Sequence, residues 1–110
     1  MITIEKLNAF GANTAEGLAR CFGNEALYLK LVATIPGEGN FDKLKDSIAA
    51  KDLKAAHALK GVLGNLSLTP LYTPVVEITE LLRNNTDMDY KSLLDTILEK
   101  KDELGRLCAE

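Results

Sequence analysis

The feature that most constrains this chain is its helix punctuation. A capping residue, apolar positions three and four apart, and a glycine or proline stop recur along the whole length, whereas alternating β-branched runs and Asn-Gly hairpin turns are missing. Thr3 is placed to cap a short first helix that stops near Gly11, and Asn13 or Thr14 opens a second that ends near Gly23. Asn24 caps a third, with Leu27, Leu31 and Ile35 on one face, closed by Pro36-Gly37-Glu38-Gly39. Asn40 opens a fourth, with Phe41, Leu44 and Ile48 turned inward, and Asp52 caps a fifth that runs to about Leu66. The Lys51-Asp52 junction is too short for a crossover, so these two helices form a tight antiparallel hairpin or one bent helix. Thr69-Pro70 can start a sixth, with Leu71, Val75, Ile78 and Leu82 as its buried stripe. Pro74 has no N–H to give, which leaves the regular part beginning at either proline. Asp89 caps the last helix, where Tyr90, Leu94, Ile97, Lys101, Leu104 and Cys108 keep helical spacing. The expectation is an all-α fold in one domain spanning residues 1–110: an antiparallel four-helix bundle over 24–108, with short N-terminal helices (1–23) packed across it.

Composition narrows the function classes. Apolar residues make up 46% and there is no tryptophan, so the core is aliphatic, and a chain of 110 residues can bury one without metals or disulfides. The net charge is −3, which disfavours nucleic-acid binding, since phosphate backbones demand a basic face. Residues 42–60 reverse that sign locally, with five lysines against three aspartates. Most of that run reads as solvated helix faces, and part of it could attract a phosphoryl group or an acidic partner. Cys21 and Cys108 match no metal or redox spacing and read as reduced. The N-terminus lacks a secretory pattern, and no apolar run is long enough for a membrane span, so the expected location is cytoplasmic, with no membrane partner.

The stretch Asp52–Leu68 carries the chemistry. On a helical wheel, Leu53, Lys54, Lys60, Gly61 and Gly64 all fall within about 60° of His57, the only histidine, while Ala55, Leu59, Val62 and Leu66 lie opposite, with Leu63 and Ala58 widening that apolar arc. A helix-interior glycine costs roughly 0.5–1 kcal/mol relative to alanine, so two of them beside the histidine imply close approach, by an incoming molecule or by a neighbouring helix. A neutral imidazole offers a lone pair that can attack phosphorus and leave again, which makes it a reversible covalent carrier. Lys60, one turn away, can offset charge on phosphoryl oxygens.

The run Ala56-His57-Ala58-Leu59-Lys60-Gly61, followed by Gly64 and Leu66, closely resembles the signature of histidine phosphotransfer (HPt) domains. In that pattern the phosphoaccepting histidine is followed by an apolar residue, Lys and Gly at two, three and four positions, then by a small and an apolar residue at seven and nine. The preceding SIAAKDLKAAH resembles the family's hairpin. Two positions depart from the pattern: Ser67 stands where the family usually has Gly at the helix exit, and Lys51 stands where the turn before Asp52 often carries Gly. The resemblance implies a four-helix bundle in which His57 accepts a phosphoryl group from the aspartyl-phosphate of a receiver domain and relays it to another. Lys60 would assist electrostatically and Gly61 would leave steric access. Leu53, Lys54 and Gly64 are placed in the docking surface by the wheel. The partners implied are receiver domains of response regulators or hybrid sensor kinases. No cofactor is implied for this chain, because Mg²⁺ sits in the receiver's own acidic pocket. The protein would be a carrier rather than an enzyme with its own turnover.

The competing reading is a helical adaptor that binds a protein partner without phosphorylation. A metal or haem site lacks further ligands beside the single histidine, and no Ser or Cys is placed by sequence to serve His57 as a base.

Overall fold

Seven α-helices and one 3₁₀ turn build the molecule, and no strand is present. The computed structural model describes all 110 residues. In it α1 spans Ile4–Phe10, α2 Thr14–Arg20, α3 Glu25–Ala33, α4 Asn40–Ala49, α5 Lys54–Asn65, α6 Thr69–Arg83 and α7 Lys91–Ala109, with the 3₁₀ turn at Ile35–Gly37. Thr3, Asn13 and Asn24 act as side-chain caps, accepting the N–H groups of Lys6, Glu16 and Leu27 at 3.1, 3.2 and 3.0 Å. Asp52 and Asp89 stand one position further out. Each accepts the N–H two residues on, from Lys54 at 3.0 Å and Lys91 at 2.9 Å, and so satisfies the first orphan donor of α5 and α7.

The helix exits share one geometry and rarely use glycine for it. At Gly11, Phe22, Lys51, Ser67 and Asn85 the backbone is left-handed, and at each the next residue's N–H reaches back to the final turn, as from Asp52 to the Ser47 carbonyl at 2.8 Å and from Leu68 to the Leu63 carbonyl at 3.1 Å. The chain therefore makes the glycine-type exit at Lys51 (φ 56°) and Ser67 (φ 53°) with residues that carry a Cβ. A left-handed residue with a Cβ costs roughly 1–2 kcal/mol, part of which glycine's greater unfolded-state freedom offsets. Lys51→Gly is therefore expected to raise the unfolding free energy by about 0.5–1 kcal/mol, measured by urea denaturation with unchanged m-value.

Each of α4 to α7 packs on its chain neighbour, and α7 returns to α4. Leu71, Val75, Ile78 and Leu82 of α6 are buried as their spacing requires, along with Phe41, Leu44, Ile97 and Leu104. Lys101 belongs to the inner stripe of α7 because its ammonium lies 5.9 Å above the Phe41 ring. Helix α6 begins at Thr69 and runs through Pro74, so the sequence's ambiguity resolves to the earlier start. Pro74 sits where the missing N–H costs only a bond to the first turn. No helix is long and apolar enough to cross a membrane.

Helix α3 differs from the expected register. Leu27 and Leu31 remain 38% and 39% exposed, and Tyr28 and Val32 take the inner face with Ile35. The reason is tertiary. The Tyr28 hydroxyl donates to the Leu66 carbonyl at 2.9 Å, and its ring lies against Gly17 of α2, where any Cβ would come within 2.5 Å of it. Tyr28 thus ties α2 and α3 to the exit of α5. Its burial pushes the phenol up to about 12, with the Cys21 thiol adding a smaller push. The folded phenol holds its proton longer than the unfolded one, so its contribution is complete below pH 10 and is lost as pH rises towards 12, by roughly 2–3 kcal/mol. Removing the hydroxyl orphans a buried carbonyl at a cost of about 1–2 kcal/mol at neutral pH. The stability gap between wild type and Tyr28→Phe is therefore expected to close between pH 8 and pH 11.5 in denaturant titrations.

Candidate functional site

His57 is exposed because α5 turns its other side into the core. Ala55, Ala56, Leu59 and Leu63 are buried, and Leu66 is buried at the C-cap. This arc is rotated relative to the sequence expectation. Ala56 is fully covered, while Ala58 and Val62 are only half-buried. Helix α6 packs along α5, with its Tyr72 ring reaching Gly64.

The exposed side opens into a cleft of about 600 Å³, and His57, Lys60, Gly61 and Gly64 all line it. Tyr72 is the only hydrophobic residue in its wall, so the cleft suits a charged group rather than an apolar ligand. The two glycines prove to have different reasons. A Cβ on Gly61 would meet nothing within 4 Å, so its bareness leaves space open to solvent. A Cβ on Gly64 would come within 3.0 Å of the Tyr72 ring, so that glycine serves helix–helix packing as well as lining the cleft. Leu53 and Lys54 do not line the cleft. Leu53 is half-buried against the core, and Lys54 is exposed on the first turn of α5. Lys60 takes part in none of the protein's ion pairs, so its ammonium is uncommitted.

Part of the cleft's wall comes from α2, which the sequence alone does not bring to the site. Glu16 and Arg20 line the same cleft. Glu16 Oε1 accepts from Ser67 Oγ at 2.8 Å and from Arg20 Nη2 at 3.3 Å. The Asn13 N–H donates to the Ser67 carbonyl at 3.0 Å. Ser67 makes the left-handed exit of α5 and uses its hydroxyl to dock α2. The cleft holds two cations, Lys60 and Arg20, against one carboxylate, Glu16, in a chain of net charge −3. The only sequence trace of this wall is the i,i+4 spacing of Glu16 and Arg20 on a short helix, which gives no direction towards His57.

The remaining chemistry lies elsewhere. Cys21 is buried and Cys108 half-buried, both as free thiols, and burial pushes the Cys108 thiol up. No three His, Cys, Asp or Glu side chains converge as metal ligands. Comparison with family models, with curated proteins and with solved structures finds no match to this chain.

Proposed function

We propose that this protein is a histidine phosphotransfer carrier, a four-helix bundle of α4 to α7 with the N-terminal helices laid across one end. The observation that supports this most is the setting of its sole histidine: His57 stands exposed in a polar cleft, beside an uncommitted lysine one turn away and a glycine with open space above it. In the proposed step a ring nitrogen attacks the phosphorus of a receiver's aspartyl-phosphate. The P–O bond to the aspartyl group breaks, the P–N bond forms, and the ring's other N–H proton passes to solvent. Lys60 would offset charge on the equatorial oxygens, and Gly61 would let the receiver's acidic pocket come down onto the imidazole. Mg²⁺ would belong to that pocket. The reverse sequence onto a second receiver would regenerate the imidazole, so the protein would be a carrier without turnover of its own, acting in the cytoplasm where receivers work.

The test is loading by a panel of phosphorylated receiver domains. Protein-bound phosphate that is acid-labile and alkali-stable is expected on the wild type and not on His57→Gln. A panel in which no receiver loads the wild type would contradict the proposal and favour an unphosphorylated adaptor.

A further inference from the structure

We propose that Arg20 is a second phosphoryl-binding cation of this site, held in reserve by Glu16 and released when His57 becomes phosphorylated. This rests on the carrier reading above and adds to it a residue from another helix and a built-in competition.

Arg20 and Glu16 share the cleft with His57 and Lys60. Their ion pair is a single Nη2–Oε1 contact at 3.3 Å, with both side chains about half exposed, 51% and 50%. A pair of that kind is weakly held. Glu16 is fixed better than Arg20, because Ser67 Oγ also donates to the same carboxylate oxygen at 2.8 Å and Ser67 itself is 6% exposed. The carboxylate therefore stays while the guanidinium can leave. A phosphoryl group on His57 brings a double negative charge and three acceptor oxygens into a cleft that already contains Glu16. Like charge then destabilises the loaded state unless a cation answers it, and a guanidinium matches a phosphoryl group with two parallel N–H donors. The arrangement gives Arg20 two competing anionic partners, and the stronger one exists only in the phosphorylated protein. Arg20 is then a phosphoryl-contacting residue, and Glu16 a positioning residue that acts through it.

This competition fixes opposite signs for two substitutions. Phosphoramidate, a small donor, tests them without a receiver. The ring nitrogen displaces ammonia from phosphorus, and the proton the ring gives up is taken by that ammonia. Labelling is unambiguous because His57 is the only histidine. Arg20→Gln keeps the aliphatic stem and helix propensity, and is expected to slow labelling roughly threefold to tenfold at low salt, the deficit shrinking as ionic strength rises. Arg20→Lys is expected to recover part of the rate. Glu16→Gln, whose amide oxygen can still accept from Ser67, is expected to accelerate labelling roughly twofold to fivefold, since it frees Arg20 and removes the repelling charge. A merely structural ion pair would slow both variants alike or neither. Wild-type labelling with Arg20→Gln at the same rate overturns this inference and leaves the carrier reading intact. Failure of the wild type to take label from both phosphoramidate and receivers overturns the carrier reading itself.

Discussion

Gly61→Leu is expected to make the protein slightly more stable and to reduce loading of His57 by a phosphorylated receiver roughly a hundredfold. The stability gain follows from the backbone. Gly61 lies within α5, where glycine costs about 0.5–1 kcal/mol relative to a good helix former, and a Cβ there meets nothing within 4 Å. The loss of transfer follows from the same open space, which a leucine would fill next to the imidazole. Two readouts separate the effects: thermal unfolding reports the fold, and phosphoramidate reports whether the imidazole itself still reacts. A small donor is expected to label Gly61→Leu at close to the wild-type rate. Equal loading by the receiver would mean that no partner approaches over Gly61. At Gly64 the same helix-propensity gain is opposed by a contact, because an added Cβ would lie 3.0 Å from the Tyr72 ring.

Gly17→Ala is expected to cost about 3 kcal/mol of stability, an unusually large effect for one methyl group. The added Cβ would lie 2.5 Å from Tyr28 Cε1 and 2.7 Å from Cζ and Oη. The ring cannot retreat easily, since it is completely buried and its hydroxyl is bonded to the Leu66 carbonyl. Either the ring is expelled or α2 lifts away, and α2 carries Glu16 and Arg20. Denaturant unfolding measures the loss, and a double-mutant cycle with Tyr28→Leu identifies its cause. With the ring gone the methyl group has no clash, so the two substitutions are expected to be strongly non-additive. Additive losses would place the strain elsewhere.

These two glycines mark the boundary of what the sequence discloses. Thr3, Asn13 and Asn24 could be read as caps because a cap is a local contract between a side chain and an N–H three residues on. The buried stripe of α6 was legible for the same reason, as was the exposed side of α5 with His57, Lys60, Gly61 and Gly64 together. The inner face of α3 was not legible. Leu27 and Leu31 are as apolar as the spacing rule asks, and what turns Tyr28 inward is a hole at Gly17 and a free carbonyl at Leu66, far along the chain. The wall formed by Glu16 and Arg20 was hidden likewise, because it depends on where α2 docks. The separate reasons for Gly61 and Gly64 look identical on a wheel and differ only once Tyr72 is placed.

The most direct test of the carrier claim is a two-step chase. Label is loaded onto the wild type from one phosphorylated receiver, the donor is removed, and a second, unlabelled receiver is added with Mg²⁺. The expected result is that acid-labile label leaves His57 and reappears as acyl phosphate on the second receiver, while His57→Gln neither takes nor passes any. If the wild type takes no label, or holds it without giving it to any receiver, the protein is not a phosphoryl relay.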